Sequence, residues 1–179
     1  MNVDAVLNFW FIEIEPRQWW EKSPAFDALI AERFGALHAA AARCELSAWR
    51  AKPEGCLAEV IVLDQFSRNL FRDRPEAFAC DPLALALAQQ AVASGADQAL
   101  PSIQRAFLYM PYMHSESTLI HRESLALFGQ AGLEHSLRAE LQHKAIVDRF
   151  GRYPHRNAIL GRPSTEEELR FLATPGSSF

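Results

Sequence analysis

The chain lacks most of what would mark a secreted, fibrous or membrane-spanning protein. Its 179 residues hold only three cysteines, Cys44, Cys56 and Cys80, spaced 12 and 24 residues apart. An odd number without close pairs makes neither a disulfide framework nor a zinc signature, which suits reduced thiols. No hydrophobic run approaches the length of a membrane span, and even Leu57 to Leu63 is interrupted by Glu59. The opening Met1-Asn2-Val3-Asp4 has an early acid and no basic stretch, unlike a secretory leader. Sustained period-2 alternation is absent, so strands are not expected. There is no G-x-S-x-G, phosphate loop or dinucleotide fingerprint, so nucleophilic hydrolases, P-loop and Rossmann enzymes have no local support. The expectation is a cytoplasmic protein with no membrane partner and no cofactor implied by its motifs.

What is present suits a folded core. Hydrophobic residues make up 49% of the chain and charged residues 22%, with 18 Lys and Arg against 22 Asp and Glu for a net charge of −4. The length fits one domain over 1–179, or two tightly packed helical halves, about 1–95 and 96–179. Near this size a domain buries roughly 70% of its unfolded surface and needs no staple. Mild acidity argues against a general nucleic-acid binder.

Helical spacing dominates. Val3, Val6, Leu7, Trp10, Phe11 and Ile14 form one stripe, stopped by Pro16. Ser23-Pro24 supplies a cap and a first-turn proline for a second helix through Phe26, Ile30, Phe34 and Ala41. A third is expected over about 54–70. Asp81-Pro82 repeats the cap-and-proline start for a fourth that ends near Gly95. A fifth opens at Pro101 or Ser102 and is kinked or ended by Pro111, which lacks an N–H and clashes with the preceding turn. Further helices are expected over about 115–128 and 134–150. Ser164-Thr165-Glu166-Glu167 reads as a capping box before a short last helix, followed by a frayed tail over 174–179. The fold expected is all-α, with about eight helices joined by short turns as antiparallel neighbours. One internal echo, Val62 to Arg68 against Ile146 to Arg152, is displaced by 84 residues and is compatible with chance or with duplicated halves.

Three constellations could carry chemistry. Asp64 and Arg68 stand in the favourable i,i+4 order on the apolar side of the third helix, either as a buried packing pair or as part of a ligand site. The window from Arg138 to Arg162 carries six basic residues against Glu140 and Asp148, a net +4 on a remainder of −8. Its Arg149, Arg152, His155, Arg156, Asn157 and Arg162 suit recognition of carboxylate or phosphate, unless the arginines pair with internal acids such as Asp64 or Glu116. His114-Ser115-Glu116 places an imidazole near a carboxylate, and His114, Thr118 and His121 share a face if the helix continues past Pro111. Glu140-x-x-His143 has a di-iron spacing, but in a single copy, so no metal is expected. The paired Trp19-Trp20 faces two directions, and one indole is a candidate groove lining.

Together, Val6 to Phe11, Leu63 to Asn69, His114 to Glu116, Arg149 to Asn157 and Leu160 to Glu167 make the sequence resemble an uncharacterised family, domain of unknown function 924. That resemblance spans nearly the whole chain in order. It implies a compact α-helical fold similar to tetratricopeptide repeats and a bacterial cytoplasmic setting, with no agreed reaction, substrate or cofactor. Ser67 stands where many relatives are expected to have proline. The residues favour a binding module in which Asp64, Arg68, Asn69, His114, Glu116, His143, Arg149, Arg152, His155, Arg156 and Asn157 receive an anionic small molecule or an acidic peptide group. The alternatives are an enzyme using His114 or His155 as acid or base, with Glu116 as its orienter, and a scaffold whose polar cluster is packing glue. No nucleic-acid partner is expected.

Overall fold

Caps and prolines set the helix starts. The computed structural model describes residues 2–178; among these there is no strand. Helix α1 (Val3–Asn8) is capped by Asn2, whose side chain accepts from the Ala5 N–H at 3.0 Å, and runs on as a π-helical turn, Phe9–Glu13. Helix α2 (Pro24–Ala42) starts on the Ser23 cap. Helix α3 (Pro53–Ile61) continues through a second π-helical turn, Val62–Phe66, into the short α4 (Ser67–Leu70). Then come α5 (Asp81–Ala93), α6 (Ser102–Met113), α7 (Thr118–Phe128), α8 (Glu134–Phe150) and α9 (Glu166–Leu172).

Helix α3 is the central strut. It packs against α1, α5 and α6, and every residue from Leu57 to Phe66 is buried. Glu59 lies inside this run because Arg50 meets it with a two-pronged fork at 2.7 Å, the arrangement that makes a buried carboxylate tolerable. An aromatic cluster of Phe9, Trp10, Phe26, Phe34, Phe66 and Phe107 fills the space between α1, α2, α3 and α6, with Phe34 and Phe66 4.8 Å apart. Trp19 packs on Trp10 and Phe107, whereas Trp20 stacks over Phe107 but stays 61% exposed, so the adjacent indoles do part company. Helices α5, α6, α7 and α8 each pack on the next or next-but-one. A small second core, Ile146, Val147 and Tyr153 with Phe150 and Phe171, joins the end of α8 to α9.

Several local expectations are corrected. Pro111 neither ends nor breaks α6, which runs to Met113; Ala106 through Met113 are all buried, and that packing outweighs one missing helical hydrogen bond. The helix does stop there, so His114, Thr118 and His121 lie on no common face. The capping box sits one residue later than expected, between Thr165 and Glu168, each accepting from the other's backbone N–H. The tail turns back rather than fraying: Ser177 is buried and donates to the Leu172 carbonyl at 3.1 Å, while Phe179 lies outside the described residues. The echo is not repeated in space, because Asp64 is fully buried whereas Asp148 is a half-exposed partner of Lys144.

Candidate functional site

The seam between the two cores gathers charge from five parts of the chain. The π-helical turn places Asp64 in the interior, and such turns often mark functional positions in helices. Asp64 Oδ1 lies 2.7 Å from His114 Nδ1 and 3.3 Å from the Arg68 guanidinium, and Oδ2 accepts from the Gln65 amide at 2.6 Å. Burial alone would raise the Asp64 carboxyl, but Arg68 and His114 outweigh it and hold it well below the usual carboxylate range. An ionised carboxylate only accepts, so His114 carries its proton on Nδ1 and presents a bare Nε2. Burial, and then the neighbouring Arg68, push the His114 pKa below its ordinary value, keeping the ring neutral near pH 7.

Arg68 also reaches Asp81 at the start of α5, through bonds of 3.1 and 3.2 Å. Arg156 arrives at the same carboxylate from the loop after α8, at 3.1 Å, and donates its other terminal nitrogen to the His114 carbonyl at 3.0 Å. The Arg156 guanidinium lies over Phe78 at 4.5 Å and Tyr153 at 4.8 Å. Its Nε is buried and has no hydrogen-bond partner among the described residues. Asp81 therefore does not cap α5, as the sequence suggests; it is the acid that two distant arginines share.

Beside this corner, Glu116 takes a two-pronged bond from Arg162 at 2.6 and 2.8 Å and accepts the Tyr153 N–H at 2.7 Å. Burial would raise the Glu116 carboxyl, yet Arg162 and the Tyr153 N–H bring it below its usual value. Behind it, the Tyr153 hydroxyl donates to the Met113 carbonyl at 2.5 Å, and fully buried His121 pairs with Glu140 at 2.7 Å. His143 lies with its ring 6.4 Å from that of His114 and 5.8 Å from that of Tyr153, its Nδ1 2.8 Å from the Ala139 carbonyl. Burial lowers the His143 pKa to about 3 and that of His155 to about 4.

Asp64, Arg68, His114 and Arg156 thus come into contact, with Glu116, His143, His155 and Asn157 around them. Asn157 is tied to Ser164 and Arg162. Three expected members fall elsewhere. Asn69 joins Arg72 in holding Asp27 on α2. Arg149 pairs with Glu167 at an exposed edge, and Arg152 is clasped by Glu168 and the Pro163 carbonyl, because the left-handed Gly151 turns the chain between Phe150 and Tyr153. The expected His114–Glu116 acid–base pair does not form, since each has another partner. Glu140 and His143 have separate partners, and among the described residues no three His, Cys, Asp or Glu are grouped to hold a metal. Two described cavities lie away from the cluster: one of about 110 Å³ beside Arg50, Cys56 and Leu87, and one of about 290 Å³ beside Glu15, Gln18 and Phe26. At the corner itself Arg68 keeps 22%, His114 16% and Asp81 15% of side-chain surface exposed. Asp81, Tyr153 and Phe78 are not among the expected site residues: Asp81 reads only as a helix cap, Tyr153 lies within the Arg149 to Asn157 stretch, and Phe78 carries no signal.

No curated protein matches the chain. It is similar to a solved structure from Agrobacterium tumefaciens, the protein of unknown function ATU0120, at 39% identity over 96% of each chain with a TM-score of 0.91. A family model described as bacterial protein of unknown function (DUF924) matches residues 6–176. The chain belongs to that family.

Proposed function

We propose that the corner formed by Arg68, Arg156 and His114 is a seat for the anionic group of a small molecule or an acidic peptide, and that the protein is a binding module. One observation carries the reading: two guanidiniums 88 positions apart converge on the single carboxylate of Asp81, and buried Arg156 Nε is left without an acceptor. Bonds of 3.1–3.2 Å to Asp81 are long beside the 2.6–2.8 Å forks of Arg72 on Asp27 and Arg162 on Glu116. Charge is balanced at this corner, but donor capacity is not. Asp81 holds the place that an incoming carboxylate or phosphate would take or share. A cytoplasmic setting is part of this reading; among the described residues the three cysteines are unpaired and no helix is long and apolar enough to cross a membrane. Packing of successive helices from α5 to α8 supports a tetratricopeptide-like stacking of helical hairpins.

Thermal shift against inorganic phosphate and succinate tests the seat, because a ligand that binds only the folded state raises the melting temperature with its concentration. The wild type is expected to be stabilised saturably and Arg156→Gln not at all. Asp81→Asn, which removes the competing charge, is expected to bind more tightly. Were all three proteins indifferent to both anions, the cluster would be packing glue alone.

A further inference from the structure

Guanidiniums only donate, and a neutral imidazole with its proton fixed on Nδ1 offers one acceptor at Nε2. These opposite capacities sit side by side: Arg68 and the His114 ring both approach the same oxygen of Asp64, at 3.3 and 2.7 Å. Arg156 is bonded to the His114 carbonyl and shares Asp81 with Arg68, which draws the three residues together. His114 Nε2 has no hydrogen-bond partner among the described residues and is not among the buried polar atoms sealed off without one. The other groups facing His114 are Asp81, His143 and His155.

We infer that the seat selects a phosphate group that keeps a proton: Arg68 and Arg156 hold its anionic oxygens and His114 Nε2 accepts its P–O–H. This rests on the anion-seat reading above and sharpens it to one ligand class. Sulfate has the same size and shape but carries no proton near neutral pH, so it sets its fourth oxygen against the Nε2 lone pair. Sites that pair a buried acceptor with a ligand hydroxyl reject the analogue lacking it, because the acceptor is left unpaired. Asp64 acts here through His114 as a positioning residue, since its ionised carboxylate fixes the tautomer.

Calorimetric titration at constant ionic strength with inorganic phosphate, methyl phosphate monoanion and sulfate tests this. Phosphate is expected to bind at least about tenfold more tightly than sulfate, a difference of about 1.4 kcal/mol. The methyl phosphate arm tells a free from an esterified ligand. Asp64→Asn turns an amide N–H toward Nδ1 and moves the ring proton to Nε2, so the preference for phosphate over sulfate should vanish while Arg156-dependent sulfate binding persists. Imidazole ¹⁵N shifts of the wild type read the tautomer directly, whether or not the variant folds. Equal affinity for phosphate and sulfate, or an Nε2-protonated His114, overturns the inference and leaves the seat standing. Loss of all Arg156-dependent binding removes both.

Discussion

Buried polar atoms at single positions separate those held by a partner from those that are not. Ser124 is fully buried on α7, and its hydroxyl has no hydrogen-bond partner among the described residues. Removing an unsatisfied hydroxyl takes away its desolvation penalty, so Ser124→Ala should leave stability unchanged or raise it by up to about 1 kcal/mol. A urea midpoint measures this, and a loss above 1 kcal/mol would mean that the hydroxyl has a partner. Arg156 is a mixed case, with an unpartnered Nε but both terminal nitrogens bonded. Its charge is held by Asp81, by the His114 carbonyl and by two aromatic faces, so its replacement removes several partners at once. A melting temperature for Arg156→Gln therefore belongs beside every binding measurement.

Helix entry and continuity decide how the elements meet. Gly55 lies in the first turn of α3, where a Cβ would sit 1.9 Å from the Trp49 carbonyl oxygen. Backbone cannot yield as a flexible side chain does, so Gly55→Ala should cost about 3 kcal/mol by forcing α3 away from the turn before it. Gly35, in the middle of α2 with nothing within 4 Å of its position, is the matched control. There the same change should stabilise by about 0.5–1 kcal/mol through helix propensity. Chemical denaturation of the two variants would show opposite signs; equal effects would mean the close approach at Trp49 is relieved by a small shift. The π-helical turn at Val62–Phe66 matters in the same way, because one residue of extra winding resets the phase between α3 and α4 and sets Asp64 and Arg68 against the seam.

Across the whole molecule, the seam makes stability depend on pH in two stages. His143 and His155 are neutral in the folded chain with pKa values lowered to about 3 and about 4, whereas the unfolded chain takes up protons on both near 6.5. The unfolded state then binds more protons, so stability falls as pH drops below 6.5, by at most about 1.4 kcal/mol per unit for each group, until the folded values are reached. Asp64, Glu116 and Glu168 titrate in the folded chain below their ordinary values, so their contribution is present above the usual carboxylate range and is lost further down. Urea midpoints from pH 8 to pH 4 should fall throughout the lower half of that range. His143→Leu should flatten the part between 6.5 and 4, and an unchanged slope there would mean that His143 is not held neutral.

Helix positions were legible in the sequence because they depend on local features: Ser23-Pro24, the apolar stripe of α1, the Thr165–Glu168 cap within one residue, and the absence of alternation. The convergence of Asp64, Arg68, His114 and Arg156 was readable only as charge lodged among oily residues. Sequence spacing carries no distance between helices, so Arg149, Arg152 and Asn69 looked equivalent to Arg156, although Gly151 and α2 take them to other partners. Asp81 looked like a helix cap because Asp before Pro favours that local role, and only the approach of Arg156, from the loop after α8, to the start of α5, where Arg68 of α4 also arrives, makes it the acid between two arginines. Local backbone chemistry thus determined the elements. Partner choice among buried charges was decided by tertiary packing, because each guanidinium binds whichever carboxylate the fold brings within about 3 Å of it.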